Sequence, residues 1–463
     1  MLKSIQSVKA RQVFNSNLLE IMAIKIALYF EDVICDGGMW RSFVTKHKEL
    51  YGKSLPFFPV DEEDYMADEP HEEDVAYLLW EAVMDWEEDK LVHPNDSYIH
   101  EIAKKFYGVL DAEFEDAPIN ERMQDFFREA SFMDDFIEMR EVLSWLWMNC
   151  YLTEGHHKFR VAEEMIDEVC DLLHFDHQDP RAIYAAYSQI VFRYKGGPLA
   201  LYPAEWLAIV EDTYGNHVNS EILRKMEYRS YDIYLLEGFD EPVIHLRNTK
   251  GDALDINILA YGDMCIDTLQ ETDGCIASFV RYNEQWEPNG MDSWGNFKKV
   301  YEARKEHQER YVTGLPFNNY QNMMKESGGS PLFYFRNGKD VRKFVMEQVG
   351  IPERLMHPSN LDDKDLIVAY VPSANEGIAF AFGVANCIKD VRNPFYGIKY
   401  HDDDAMSLVT DENICDGAML RYLIKHHMLP DASFSEDVND EESLRLAQDN
   451  LDFLARTMRR EKY

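Results

Sequence analysis

Positive charge is scarce in this chain: 47 Lys and Arg stand against 85 Asp and Glu in 463 residues, a formal net charge of -38. Such a field repels phosphate backbones and anionic lipid headgroups, so it argues against direct binding to nucleic acid or a membrane surface and favours basic protein partners. Long apolar runs are missing too. The stretch IMAIKIALYF is interrupted by Lys25, and no segment has the uncharged length that spans a bilayer. The opening MLKSIQSVKARQVF lacks the apolar stretch and small-residue cleavage site of a secretion signal. Cysteines are few and unpatterned: Cys35, Cys150, Cys170, Cys265, Cys275, Cys387 and Cys415 include no C-x-x-C pair. That argues against a disulfide framework or zinc knuckle and points to a reducing, cytoplasmic setting.

Signatures of catalysis are equally absent. The chain has no G-x-S-x-G elbow, no G-x-x-x-x-G-K-[ST] phosphate cradle, and no G-x-G-x-x-G after a strand. What is present is an ordinary globular composition, 46% hydrophobic and 13% aromatic, enough to build a large core without staples. The length predicts two or three folding units.

Apolar residues recur at helical spacing through the first half. Two helices joined at Asp36-Gly37-Gly38 are expected between Ser16 and Leu50, followed by an acidic connector punctuated by Pro56, Pro59 and Pro70. Val75, Leu78, Leu79, Ala82, Val83 and Trp86 then mark a helix with one buried and one anionic face. Further helices are expected at Asn120–Ala130, Phe132–Tyr151, Phe159–Leu173, Arg181–Arg193 and Pro203–Ile209. Near Ser230 the period changes to two. Leu254, Ile256, Ile258 and Ala260 alternate with Asp255, Asn257 and Leu259, and PVIHLR, MCIDTL, CIASFVRY, LFYFR, LIVAYV and IAFAFG offer partners across short turns. The tail returns to helix at Ile414–Met428 and Asp440–Arg460, where Arg456, Arg459, Arg460 and Lys462 would offset the helix dipole. The expected fold is therefore α+β: an acidic all-α domain, 1–229, and an α+β domain, 230–463, with an antiparallel meander and terminal helices.

Three groups of residues are candidates for function. Between Asp61 and Asp89 lie fourteen carboxylates and no Lys or Arg. Asp61, Glu62, Glu63, Asp64, Asp68, Glu72, Glu73, Glu81 and Asp85 are the expected docking surface for a basic partner. Asp171, His174 and His177 would share one face if their helix continued, the spacing of a metal-dependent hydrolase with Glu168 or Glu164 as general base. Against this, Gln178-Asp179-Pro180 signals a helix end. Tyr282, Trp286 and Trp294 flank a Glu-Pro-Asn-Gly turn and read first as core-packing aromatics, with a small-molecule sensor holding its ligand beside Trp286 as the alternative. His401-Asp402-Asp403-Asp404 offers oxygen ligands without EF-hand spacing and reads first as a loop or helix start. Finally, Ile34-Cys-Asp-Gly-Gly-Met-Trp-Arg41 is echoed by Ile414-Cys-Asp-Gly-Ala-Met-Leu-Arg421, each opening a helix.

The segments LYFEDVICDGGMWRSF, ELYGKSLPFFPVDEEDY, EEDVAYLLW, IKDVRNPFYG, MLPDASF and NLDFLARTMRR resemble a bacterial family known only as a domain of unknown function, of the 3843 type. The resemblance spans most of the chain, implies an intracellular bacterial protein, and transfers no catalytic residue. With no catalytic motif on the page, the expected function is a non-enzymatic interaction protein presenting an acidic surface to a basic partner; no cofactor is indicated.

Overall fold

The structure is a computed structural model, and it describes residues 16–86, 91–153, 155, 157–261, 269, 271–312, 317–350, 360–373, 377–400, 402–432, 434 and 441–463. Two compact units divide the chain, Met1–Tyr301 and Glu302–Tyr463. The composition change near Ser230 marks a passage from helix to strand inside the first unit.

Unit 1 opens with α1 (Ser16–Ile34), α2 (Met39–Tyr51), α3 (Glu72–Trp86), α4 (Ser97–Glu113) and α5 (Glu121–Glu129). It continues with α6 (Phe136–Met148), α7 (His157–Leu173), α8 (Pro180–Arg193), α9 (Pro203–Thr213) and α10 (His217–Arg224). Polar side chains start several of them: Asp96, Asn120, Asp135 and Asp179 each accept an amide hydrogen bond in the first turn. Next comes a six-stranded antiparallel sheet of β1 (Glu227–Asp240), β2 (Val243–Asn248), β3 (Ala253–Asn257), β4 (Gly274–Tyr282), β5 (Gln285–Pro288) and β6 (Ser293–Gly295). The order is β3-β2-β1-β4-β5, with β6 also on β4. The end strands β3 and β5 touch, so the sheet is curled.

Alternation governs what the sheet buries. Ile244, Leu246, Leu254, Ile256, Cys275, Ala277 and Phe279 form the apolar interior of the curl. β4 is buried on its other face as well, because the helices pack there. Tyr282 Oη donates to the Met133 carbonyl (2.6 Å), Tyr228 Oη to Gln189 Oε1 (2.6 Å), and buried Asn289 accepts from Arg140 and donates to the Ser188 carbonyl. The antiparallel expectation holds throughout, while β3 stops at Asn257 and gives way to a 3₁₀ turn over Ile258–Tyr261. The expected strand MCIDTL lies, apart from Leu269, outside the described residues.

The division between the units falls within α11 (Lys298–Val312). Unit 2 holds α12 (Phe317–Glu326), a three-stranded antiparallel sheet of β7 (Leu332–Asn337), β8 (Asp365–Tyr370) and β9 (Ala379–Ala381), and α13 (Gly338–Phe344). α14 (Asp402–Thr410), α15 (Gly417–Lys425), α16 (Glu441–Gln448) and α17 (Leu451–Arg459) complete it. The expected terminal helix is thus broken at Asp449-Asn450. Its Arg459 does not sit at the surface offsetting its own helix dipole. Only 1% exposed, it donates to the carbonyls of Leu408 (2.8 Å), Val409 (2.8 Å), Asp411 (2.8 Å) and Cys415 (2.5 Å), and so caps the C-terminal end of α14.

Candidate functional site

Two polar constructions stand out in unit 1, one buried and one open. The buried one runs between α1 and α3. Lys25, Tyr29 and Asp32 occupy one stripe of α1 by their three- and four-residue spacing. Lys25 Nζ pairs with Glu81 at 3.0 Å with side chains 5% and 0% exposed. Tyr29 Oη and Tyr65 Oη both donate to Asp74, at 2.6 and 2.8 Å. Burial pushes the Asp74 carboxyl up to about 7 against the opposing pull of these hydroxyls. Asp32 accepts from the amides of Met39 and Trp40 and from Tyr151 Oη, at 3.2, 2.7 and 2.8 Å, which anchors the start of α2. Burial raises its pKa despite these donors. A Cβ on Gly37 would overlap Asp32 Oδ1, so the Asp36-Gly37-Gly38 joint is shaped around that carboxylate. Every carboxylate in this construction is held by protein donors, and its role is structural.

The open construction is a cleft of about 1200 Å³. One wall is the turn between α5 and α6, with Glu129, Ser131, Asp134, Asp135 and Ile137; α10 adds Asn219 and Ile222. The other is the sheet, with Asn257 at the end of β3, Ala260 after it, and Tyr282, Asn283, Gln285, Glu287 and Pro288 from the β4–β5 hairpin. Local sequence explains both walls. Asp135 starts α6 by accepting from the amides of Ile137 (2.8 Å) and Glu138 (3.0 Å), and Asn283 and Glu284 adopt positive φ in the two-residue hairpin turn. Among the described residues, four carboxylates line the cleft and no Lys or Arg does. Burial, and then the charge of Asp135, raise the pKa of Glu287. Behind the wall, fully buried Glu211 accepts from Asn219 Nδ2 at 2.8 Å.

The residues singled out from sequence are distributed differently. Glu81 is corrected outright: it is a core residue paired with Lys25, not part of an outward surface. The anionic face expected of α3 is absent over Asp74–Met84, all of which are buried. Glu62 folds the connector, bonding the Ser54 amide and hydroxyl (2.6 and 2.8 Å) and Lys48 (2.6 Å), and Asp61 accepts from the Glu63 amide. Glu63, Asp64 and Asp68 face outward, and Glu72, Glu73 and Asp85 are half-buried. Glu87, Glu88 and Asp89 lie outside the described residues.

α7 ends at Leu173 and His174 turns to positive φ, so the condition that would align Asp171, His174 and His177 is not met. All three are exposed or nearly so, and His177 pairs with Asp167 at 3.1 Å. Among the described residues no group of three or more His, Cys, Asp or Glu is arranged to hold a metal ion. Asp404 belongs to α14, while His401 lies outside the described residues. Of the three aromatics, Tyr282 lines the cleft; Trp286 and Trp294 pack against the sheet interior, with Arg229 over Trp286 at 5.8 Å. The echoed octapeptides differ in geometry. Asp416 caps α15 through Ala418 and Met419, whereas the matching Asp36 has positive φ and pairs with Arg41. Both arginines stack on tyrosine, Arg41 on Tyr214 and Arg421 on Tyr463. The described cysteines are all buried thiols, and no described helix is long and apolar enough to cross a membrane.

Helices and a curled antiparallel sheet sharing one unit, with an acidic cleft at their junction, define an α+β protein with an open cavity. The chain belongs to the family described as "Protein of unknown function (DUF3843)", which it matches over residues 2–245 and 297–460. No curated protein and no solved structure matches it. The interval between the two matched stretches carries β3 to β6, and with them the sheet wall of the cleft.

Proposed function

We propose that this protein is a non-enzymatic binder of a basic protein segment, seated in the acidic cleft of unit 1. The observation that carries this reading is the lining itself: Glu129, Asp134, Asp135 and Glu287, with no cationic side chain among the described lining residues. A cavity of about 1200 Å³ exceeds the usual range for a small ligand, roughly 300–1,000 Å³, and suits an extended peptide carrying Lys or Arg. The amides of Asn219, Asn257, Asn283 and Gln285 add partners for a peptide backbone. A net charge of -38 steers cationic segments toward such a cleft and nucleic acid away from it. The setting assigned is the bacterial cytoplasm, where buried thiols stay reduced.

The test is calorimetric titration of the full chain with a tetra-lysine peptide and with its side-chain-acetylated counterpart. Asp135→Asn keeps the helix cap and removes the charge, and it is combined with Glu287→Gln. The charged peptide binds, the acetylated one does not, and the double variant weakens binding by about tenfold, or 1.4 kcal/mol. Equal affinity for both peptides, or an unchanged double variant, overturns the reading.

A further inference from the structure

Unit 2 contains a cavity of about 480 Å³ formed by α12, β7, α13 and the segment around Arg392. Its floor is apolar: Met323, Phe333 and Phe344, which belong to or pack against the core of that unit, and buried Leu332. At its rim the guanidinium of Arg392 is held from two sides. Nε donates to Asp390 Oδ1 at 3.0 Å, Nη2 donates to Asp390 Oδ2, and Nη1 donates to the Ser327 carbonyl at 3.0 Å. Three of its five N–H groups are used in this way, which fixes the plane and leaves two for an incoming acceptor. Asp390 is itself anchored, with its side chain 2% exposed and Tyr334 Oη donating to it at 2.8 Å. Burial pushes the Asp390 carboxyl up, but Arg392 and Tyr334 outweigh it and hold it below its ordinary range. The residue before Ser327 is Glu326, exposed and lining the same cavity, so the cavity carries a carboxylate as well as the oriented guanidinium.

A fixed cation, an anion lining the same cavity and an aromatic floor, in a volume within the small-ligand range, describe a complementary set for one ligand chemistry. We propose that this cavity binds a zwitterionic α-amino acid with a large apolar side chain, its carboxylate on Arg392, its ammonium on Glu326 and its side chain against Phe333 and Phe344. The arrangement explains why both charges are present: a simple carboxylic acid would meet repulsion from Glu326, and a simple amine would meet repulsion from Arg392. This site is separate from the cleft of unit 1 and does not rest on the function proposed for it.

The experiment is thermal-shift and calorimetric titration of the full chain at neutral pH with phenylalanine, phenylacetate, phenethylamine and glycine. Phenylalanine raises the melting temperature in a concentration-dependent way, the two analogues lacking one charge bind at least about tenfold more weakly, and glycine gives no shift. Arg392→Lys removes the bidentate fork and abolishes phenylalanine binding. Because Arg392 also anchors Asp390, Glu326→Gln serves as the second variant: its side chain is exposed, and the change weakens phenylalanine while leaving or improving phenylacetate. Silence of phenylalanine at millimolar concentration, phenylacetate binding as tightly as phenylalanine, or indifference of phenylalanine to Glu326→Gln overturns the proposal.

Discussion

Lys25 and Glu81 meet at 3.0 Å with almost no exposure on either side, and a buried ion pair of this kind is fragile when halved. Removing one partner strands a charge in the core, whereas removing both replaces two desolvated groups with packing. Lys25→Met alone is expected to cost about 3–5 kcal/mol in urea unfolding, and Lys25→Met with Glu81→Leu to recover most of it. A double variant no more stable than the weaker single one would contradict that coupling. Asp74 and His47 make a second case, because their protonation works in opposite directions. The folded Asp74 carboxyl is raised from 3.8 to about 7, so its contribution to stability is full below pH 4 and is lost as pH rises through 7. His47 is lowered by burial from 6.5 to about 4, although Nδ1–H donates to the Lys53 carbonyl at 2.7 Å. Its contribution is present above pH 6.5 and is lost as pH falls through 4. The two nearly cancel between those limits. Asp74→Asn uncovers the histidine, and stability then falls on acidification by up to roughly 1.4 kcal/mol per pH unit. His47→Gln uncovers the aspartate and reverses the slope. Denaturation across pH 4 to 7 measures both, and parallel slopes in the two variants would rule the assignment out.

Individual helices and strands show where sequence patterning succeeds and where it stops. Of the expected stripe, Val75, Leu78, Leu79, Ala82 and Val83 are buried as their period indicates, while Trp86, at the end of the helix, is exposed. The opposite face of α3 misled because periodicity registers apolar residues and is blind to Lys25, Tyr29 and Tyr65, which neutralise Asp74 and Glu81 from other segments. β1 is the central strand of its sheet and went unseen for a comparable reason. Register shifts between Arg229 and Asp232 and between Leu236 and Gly238 break its alternation, so no uniform period of two survives in EYRSYDIYLLEGFD. α4 also escaped notice, though Ile99, Ile102, Ala103, Phe106 and Leu110 follow the helical period and could have revealed it. At the end of α17, Arg459 looked like a surface cation near a helix terminus, yet it binds four carbonyls contributed by residues some 44 to 51 positions away. Arg459→Met removes the Arg459 donor from the buried carbonyls of Leu408, Val409 and Cys415, while Asp411 keeps the Ile414 amide, and is expected to destabilise the protein by about 3 kcal/mol, with Arg459→Lys intermediate because it keeps charge without the fork. A thermal melt unaffected by Arg459→Met would contradict the capping role.

For the molecule as a whole, the charge balance legible in the composition narrows the partner class but not the location. The cleft joins Asp134-Asp135, at a helix start, to Glu287, about 150 residues later in a hairpin. No spacing in the sequence relates them; only the packing of β4 against the helices does. The Glu-Pro-Asn-Gly turn beside Tyr282 was the one visible signal, and of the aromatics flagged there only Tyr282 faces the cavity. The most direct measurement is zero-length carbodiimide crosslinking of a lysine-rich peptide to the full chain, with attachment sites mapped by mass spectrometry. Attachment concentrated at Glu129, Asp134, Asp135 and Glu287 is the outcome the cleft requires. Attachment to the outward carboxylates Glu63, Asp64 and Asp68 instead, or none above the level of an acidic control peptide, would contradict it.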